Sequence, residues 1–332
     1  MCLFSLLAAL LPTLFLIWLL WWLDRYEREP TALIIAAFMW GAVPAILLSL
    51  VTELLMGAPL GGGEAAHSLV QAAVIPPFVE ESFKGLALLG LLRFSRHEID
   101  GVLDGVIYGA LVGAGFAMTE NFLYFMSSES AGALALTIFL RAFVFGLNHL
   151  LYTATFGAAV ALSMGFGAKL GRGLVLIFGL GLAMFFHGIH NFSVTQAGSE
   201  PLLLVLSLAA NWGGTLAFFT LILVALQRER RIIQAYLAST EGAVLNAVDR
   251  KRLTAIWPPR ERFIPDFPWL DSGERRENRL YQYVAELALR RHRLNKQTGP
   301  NRAHLEQEIM ALQEKIVAIT QARANSDTST AV

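Results

Sequence analysis

Residues 3–23 read LFSLLAALLPTLFLIWLLWWL, a run of twenty-one residues without one charged side chain. An apolar run of about 18 residues or more is long enough to cross the hydrocarbon core of a bilayer as a helix. Such a run must be helical, because lipid offers the backbone no hydrogen-bond partners. It has no basic segment before it and is too long for the apolar region of a signal peptide. It therefore predicts a retained transmembrane helix.

Apolar runs of similar length continue to residue 226. Including the first, we expect seven spans, at residues 3–23, 32–55, 68–92, 105–126, 134–160, 174–194 and 202–226. Of the 332 residues, 55% are hydrophobic and 16% are charged, whereas a soluble domain has about a quarter charged. The sequence predicts an all-α fold, with a polytopic transmembrane bundle over residues 1–226 and a separate tail over residues 227–332.

The overall charge and the cysteine content exclude several kinds of site. The formal net charge is zero, so the chain lacks the basic excess that is typical of nucleic-acid binding. Cys2 is the single cysteine. An internal disulfide and a cysteine-based metal site are therefore both excluded.

Basic residues are distributed unevenly between the two sides of the expected bundle. The loops after spans one, three, five and seven contain nine of them: Arg25, Arg28, Arg93, Arg96, Lys169, Arg172, Arg228, Arg230 and Arg231. The alternate loops, 56–67, 127–133 and 195–201, contain none. By the positive-inside rule, we expect a multi-pass protein of the cell (inner) membrane, with its N-terminus extracytoplasmic and its C-terminus cytoplasmic.

The tail carries two helical patterns, over about residues 275–322. Apolar residues recur at heptad spacing, at Leu280, Val284, Leu287 and Leu294 and then at Leu305, Ile309, Leu312, Ile316 and Ile319. Thr298-Gly299-Pro300 separates the two patterns. They predict a helical hairpin or a short coiled coil, whose apolar seam is closed within the hairpin, by self-association or by a protein partner.

The third span carries Glu80-Glu81-Ser82-Phe83-Lys84. Ionisable side chains at bilayer depth cost about 2.5–3.5 kcal/mol each on insertion scales, so they are kept mainly where they face a bundle interior or a water cavity. Glu80 and Lys84 can pair on one helix face, whereas Glu81 lies about 100° around the helix. Pro76-Pro77 free backbone carbonyls one turn back, and we expect that break to admit water beside the carboxylates.

Three further spans carry polar residues at comparable depth. They are Glu120 and Asn121 in the fourth span, Arg141, Asn148, His149 and Thr153 in the fifth, and His187, His190 and Asn191 in the sixth. At 1.5 Å per residue, the Glu and His residues lie between about 9 and 22 Å below the outer surface. We expect them to meet in one cavity, and we expect Arg141 to anchor at the interface or to pair with an acidic group.

Small residues recur at every fourth position of the fourth span, at Gly105, Gly109, Gly113 and Ala117. Such a stripe favours close contact between helices. A route for the substrate is the alternative interpretation.

Adjacent carboxylates with two imidazoles suit the activation of water and the transfer of protons. A glutamate can take a proton from a water that attacks an amide carbonyl, and His149 or His187 can stabilise the oxyanion or protonate the leaving amine. Zinc is also chemically reasonable with His and Glu ligands, although the HExxH spacing is absent. If a metal is present, we expect its ligands among Glu81, Glu120, His149 and His187. The residues leave a metal-free, glutamate-activated water open.

Taken together, these motifs resemble the PrsW family of intramembrane proteases. The resemblance rests on Glu80-Glu81-x-x-Lys84, Asp104-Gly105 with Tyr108-Gly109, Gly115-Phe116-Ala117-x-x-Glu120-Asn121, His149, His187-x-x-x-Asn191 and the run 24–30. It covers roughly residues 20–195. The family is similar in turn to the type II CAAX prenyl endopeptidase superfamily, which also has paired glutamates and intramembrane histidines.

The resemblance implies hydrolysis of a peptide bond inside the bilayer, in a single-span substrate such as an anti-sigma factor. The catalytic set that it implies is Glu80, Glu81, Glu120, His149 and His187. We expect support for that set from Lys84, Asn121, His190 and Asn191.

Two other functions are open on the residues alone. Buried Glu, His and Arg also mark the proton relays of proton- or ion-coupled transporters. Transporters often carry matching broken helices in two repeats, whereas we find a proline break in the third span and no equivalent in the second half. The other alternative is a non-catalytic membrane scaffold.

Overall fold

The computed structural model describes the chain outside a set of gaps. The gaps are residues 1, 25, 27, 57–69, 100, 197, 199, 241–246, 256–271, 296–300 and 330–332. Every regular element in the described ranges is a helix, which confirms the predicted all-α fold. Arg25, most of the loop 56–67 and the break at Thr298-Gly299-Pro300 lie outside the described residues.

The chain divides into two compact units. The first comprises Met1–Leu20 and Glu29–Ile222, and the second comprises Trp21–Arg28 and Leu223–Val332. The helices up to the second boundary are α1 (Cys2–Leu23), α2 (Thr31–Trp40), α3 (Ile46–Met56), α4 (Ile75–Phe94), α5 (Val102–Met126), α6 (Ala131–Ile138), α7 (Asn148–Ser163), α8 (Lys169–Thr195) and α9 (Pro201–Ser239).

Six segments of the described chain are long and apolar enough to cross a membrane. They are Cys2–Leu23, Thr31–Met56, Val102–Met126, Ala131–Ser163, Lys169–Thr195 and Pro201–Ser239. Each corresponds to one predicted span. The remaining predicted span, 68–92, corresponds to α4, which is more polar because Glu80, Glu81, Lys84 and Arg93 lie within its 20 residues. The chain is therefore a multi-pass membrane protein.

The two prolines of the third predicted span lie just after an interruption of the helix. A turn at Val74 separates residues 70–73 from α4, and Pro76 and Pro77 lie in the first turn of α4. A first turn has no intrahelical acceptors for its N–H groups, so prolines fit there without loss. The predicted span is thus interrupted at Val74, and the admission of water at this interruption stays a prediction. The glutamates lie one turn inside a new helix.

The fifth predicted span, in contrast, is interrupted where the sequence predicts a continuous helix. After α6, residues Phe139–Val144 form a π-helical segment, and residues 145–147 are not helical before α7 begins at Asn148. A Cβ at Gly146 would overlap the Ala142 carbonyl oxygen, so this compact bend requires glycine. The bend lets Arg141 and His149 approach the same neighbour, Glu120.

Helix α5 lies at the centre of the first unit, and most of its residues are buried. Its glycine stripe lies against α7. A Cβ at Gly105 would overlap the carbonyl oxygen of Gly157, and one at Gly113 would overlap that of His149. This contact agrees with the packing interpretation of the stripe. The glycines fix the position of α7 against α5.

The second unit contains α10 (Ala247–Leu253), α11 (Ser272–Leu294) and α12 (Asn301–Ser329). The last two pack on each other, burying the apolar residues Leu280, Val284, Leu287, Leu305, Ile309, Leu312 and Ile316. Arg290 on α11 lies 2.6 Å from Glu308 on α12. Most of the apolar positions of the two heptad patterns therefore lie buried within this unit.

Candidate active site

Helix α4 brings two adjacent glutamates to one lysine. Lys84 Nζ lies 3.0 Å from Glu80 Oε2 and 2.9 Å from Glu81 Oε1. The lysine is fully buried, and its Nζ lies 3.7 Å from the ring centroid of Phe116 on α5. A buried charge needs partners, and two carboxylates and an aromatic face supply them. The sequence predicts the Glu80 pair alone, but the i,i+3 spacing also brings Glu81 within reach.

Glu81 connects three helices. Its Oε1 also lies 3.0 Å from His187 Nδ1 on α8, and its Oε2 accepts a hydrogen bond of 3.1 Å from Thr153 Oγ1 on α7. Only 1% of the residue is exposed. Both oxygens of Glu81 are therefore occupied by protein groups.

His149 lies at the start of α7 and connects Lys84 to Glu120. Its Nδ1 is 3.0 Å from Lys84 Nζ, and its Nε2 is 2.7 Å from Glu120 Oε2. An ammonium group only donates hydrogen bonds, so Nδ1 must be the acceptor. The ring proton is then on Nε2, which donates to the Glu120 carboxylate.

Arg141 neutralises Glu120 from the other side. Its Nη2 lies 2.6 Å from Glu120 Oε2, its Nε donates a hydrogen bond of 2.9 Å to Asn121 Oδ1, and its guanidinium carbon lies 3.8 Å from the ring centroid of Tyr124. Arg141 thus pairs with an acidic group, which is the second of the two roles expected for it.

Aromatic rings orient the two histidines. The ring of Tyr152 stacks on His187, with centroids 4.9 Å apart and planes inclined by 16°. His149 meets His187 edge to face at 5.1 Å. The two imidazoles are therefore held next to each other by packing as well as by hydrogen bonds.

A cavity of about 770 Å³ opens beside this cluster. Glu80, Glu120, His149 and His187 line it, whereas Glu81 and Lys84 do not. Glu81 and Lys84 thus lie behind the residues that line the cavity. This difference separates the two adjacent glutamates, which the sequence alone leaves equivalent.

Three of the residues predicted to support the site make contacts of their own. His190 Nδ1 lies 2.9 Å from Ser207 Oγ on α9. Asn191 Nδ2 donates a hydrogen bond of 3.0 Å to the Ala72 carbonyl, and Asn121 accepts one from Arg141. All three line the cavity.

Comparison with known proteins identifies the family. A family model described as "PrsW family intramembrane metalloprotease" matches residues 29–227, well over half of the chain. The chain belongs to the PrsW family. It is 31% identical to the Protease PrsW of Clostridioides difficile over 51% of this chain and 70% of the relative. It is 27% identical to that of Bacillus subtilis, over 57% and 81% respectively. No solved structure matches the chain.

Membership of the PrsW family makes the chain an intramembrane protease that acts on a protein substrate in the bilayer. It agrees with the resemblance that the sequence motifs suggest. Transport and a non-catalytic scaffold are not favoured by it.

The described residues contain a group that fits a metal of the kind the PrsW description implies. Glu80, Glu81, His149 and His187 each offer one ligand atom, and these atoms lie within 4.8 Å of one another. Two imidazoles and two carboxylates suit zinc. The group contains Glu80, whereas the ligand set predicted from the sequence contains Glu120 instead. Glu120 pairs with Arg141 and His149 Nε2. Lys84 Nζ contacts three of the four residues, so the ammonium and a metal ion compete for the same atoms.

Two residues of this PrsW site were outside the predicted set. Thr153 binds Glu81, and Tyr152 stacks on His187. Thr153 follows His149 by four residues and so shares its helix face, which is a signal that the sequence does contain. The stacking of Tyr152 depends on how α7 and α8 pack, which no local pattern reveals.

Proposed function

We propose that the chain cleaves a single-span protein of the cell membrane, such as an anti-sigma factor, near its extracytoplasmic side. The observation that carries this proposal is the cluster of two glutamates and two histidines on three helices, next to a cavity of about 770 Å³. In the proposed orientation, the N-terminus is extracytoplasmic and the tail, residues 227–332, is cytoplasmic. The uneven distribution of basic residues supports that orientation.

We propose Zn²⁺ as the metal of this site, held by Glu81, His149 and His187. A zinc ion bound there would act as a Lewis acid, which lowers the pKa of water and polarises a peptide carbonyl. Glu81 is chosen over Glu80 because it is the more deeply buried of the two carboxylates. The two histidines are chosen because both line the cavity.

Glu80 is the proposed general base. It lines the cavity, and of its two oxygens Oε2 binds Lys84. A carboxylate at the cavity surface can accept a proton from the attacking water and return it to the leaving amine. Lys84 holds the carboxylates in place, because its ammonium lies 3.0 Å and 2.9 Å from them.

Glu120 and Arg141 are proposed to position His149. The Glu120 carboxylate accepts a hydrogen bond of 2.7 Å from His149 Nε2–H, which fixes the tautomer and the ring orientation, as carboxylates commonly do for histidines in metal sites. Arg141 balances the charge of Glu120 at 2.6 Å. The lone pair of His149 Nδ1 therefore points into the cluster, where it accepts a hydrogen bond from Lys84.

A metal-free reaction, in which Glu80 alone activates the water, is the second candidate. One specific observation favours it: Lys84 already gives the glutamates and His149 a cation partner. In that case, His187 would stabilise the oxyanion by hydrogen bonding.

A cleavage assay with chelator distinguishes the two candidates. The full chain, in liposomes with a panel of single-span peptides, is treated with a membrane-permeant chelator and then with zinc. Loss of cleavage, restored by zinc, supports the metal reaction. Undiminished cleavage in protein whose metal content is measured as zero contradicts it and supports the glutamate reaction.

A further inference from the structure

Three polar side chains on α3 and in residues 70–73 line the cavity and have buried atoms without a hydrogen-bond partner among the described residues. The atoms are Ser49 Oγ, Glu53 Oε1 and Gln71 Nε2, and all three residues line the cavity of about 770 Å³. Ser49 and Glu53 lie four residues apart on α3 and therefore share a face. We call these three residues the polar strip.

An unpartnered buried polar atom is uncommon and unfavourable. Most buried polar groups find a partner, and one that does not costs about 1–3 kcal/mol. Three such atoms around one cavity therefore require an explanation. The proposed reaction does not use them, since the cluster is complete with the two glutamates, two histidines and Lys84.

The substrate of an intramembrane protease presents the groups that the polar strip lacks. In a transmembrane helix, each backbone N–H and C=O is bonded within the helix, which covers the bond to be cut. Opening the helix frees several N–H and C=O groups, and each is costly in lipid without a partner. The binding site must supply those partners.

The polar strip offers both kinds of partner. The Glu53 carboxyl oxygens accept hydrogen bonds, the Gln71 amide nitrogen donates them, and the Ser49 hydroxyl does both. An extended backbone presents N–H donors and C=O acceptors along its edge, and proteins commonly bind extended peptides through such main-chain hydrogen bonds. The chemistry of the polar strip matches that edge.

We propose that Ser49, Glu53 and Gln71 bind the unwound backbone of the substrate beside the bond that is cut. The inference rests on the proposed protease function and adds to it a subsite that recognises an opened helix rather than a particular side chain. Substrates are then selected by how easily their helix opens near the cut.

The test compares two fluorescent single-span peptides that differ in helix continuity. One has a Gly-Pro pair in its outer half, and the other has Leu-Ala at the same positions. Their dissociation constants are measured for the full chain in nanodiscs, with Glu80→Gln to prevent turnover. The proposal predicts tighter binding of the Gly-Pro peptide. Combining Ser49→Ala, Glu53→Leu and Gln71→Leu should weaken that binding by about 10- to 100-fold, as expected for two or three lost hydrogen bonds.

Matched controls lie next to the polar strip. Thr52→Val on α3 and Ser82→Ala on α4 change residues that do not line the cavity, and they should leave both dissociation constants unchanged. If the combined variant does not fold, Glu53→Leu is used alone with peptides that carry an ester at successive bonds. Each ester removes one N–H, and at one position it should weaken binding to the parent but not to Glu53→Leu.

Each outcome decides the proposal. If the folded combined variant binds the Gly-Pro peptide as tightly as its parent does, the proposal is overturned. The polar strip would then bind cavity water only. If wild type cleaves peptides and strip variants retain its KM, this inference fails and the protease proposal stands. If wild type cleaves nothing while the strip variants lose the preference, the protease proposal fails and the polar strip is a peptide-binding site.

Discussion

The carbonyl of His149 lies so close to Gly113 that a Cβ on that glycine would overlap it. The same backbone carries the imidazole that contacts Lys84 at 3.0 Å and Glu120 at 2.7 Å. The glycine stripe of α5 therefore does more than pack two helices. It also sets the position of His149 relative to Lys84 and Glu120.

Gly113→Ala should displace α7 and separate His149 from its partners. We expect a loss of about 1–3 kcal/mol in stability from overpacking and a larger loss of cleavage, because small displacements of reacting groups are costly. Thermal unfolding and peptide cleavage measure the two effects. The control is Gly181→Ala, where a Cβ meets nothing within 4 Å. Wild-type cleavage by folded Gly113→Ala would contradict the role of the stripe.

Arg141→Met should leave Glu120 without its main counter-charge. Breaking a largely buried ion pair should cost about 2–4 kcal/mol here, less than for a fully buried pair, because 26% of the arginine and 16% of the glutamate side chain are exposed. Glu120→Gln in the same chain should recover part of the melting temperature. Arg302→Met, which breaks the exposed pair with Glu306, should change it little. Equal effects of the two arginine substitutions would argue against a special role for Arg141.

Lys84→Met tests the competition between the ammonium and a metal ion. Without Lys84, Glu80 and Glu81 lose a shared cation at 3.0 Å and 2.9 Å, so the metal-free protein should be less stable. Added zinc should then raise the melting temperature of the variant more than that of wild type, since ligand binding stabilises the folded state. Equal shifts in both proteins would mean that metal and lysine do not share a site.

Glu29 is held by a hydrogen bond of 2.5 Å from the Tyr108 hydroxyl on α5. Tyr108→Phe should cost about 1–3 kcal/mol, because it leaves a buried carboxylate without that donor. Thermal unfolding of the variant in detergent provides the measurement. Tyr283→Phe, in the second unit, is the control. A melting temperature for Tyr108→Phe equal to that of wild type would show that the hydrogen bond is not needed for stability.

Orientation is tested with reporters at residue 332 and in the loop 127–133. The proposed topology predicts that a phosphatase, which folds only outside the cytoplasm, is active in the loop and inactive at the C-terminus. The opposite result would reverse the proposed orientation and place the cluster nearer the cytoplasmic side.

The membrane architecture could be predicted from the sequence because its signal is local. Long apolar runs identify helices regardless of how they pack, and six of the seven predicted spans match segments of the required length and hydropathy. The exact places where helices are interrupted depend on backbone context. The third span is interrupted at Val74, before Pro76 and Pro77. Residues 145–147 interrupt a run whose hydropathy alone predicts one helix.

The candidate site shows the same limit. The cost of buried charge identifies Glu80, Glu81, Glu120, His149 and His187 as residues that need each other. Their pairing depends on helix packing, so the sequence could not assign Arg141 to Glu120 or separate the cavity-lining Glu80 from the enclosed Glu81. Glu53, which is not among the site residues predicted from the sequence, lines the same cavity.

The most direct test of the proposed site is the cleavage of single-span peptides by wild type and by Glu80→Gln in liposomes, with products identified by mass spectrometry. We predict that wild type cuts a bond within the membrane-embedded segment. Glu80→Gln, whose amide oxygen can still accept a hydrogen bond from Lys84, should stay folded but reduce the rate by at least about 100-fold, as expected for loss of a general base. Cleavage by a folded Glu80→Gln variant at the wild-type rate would contradict the account.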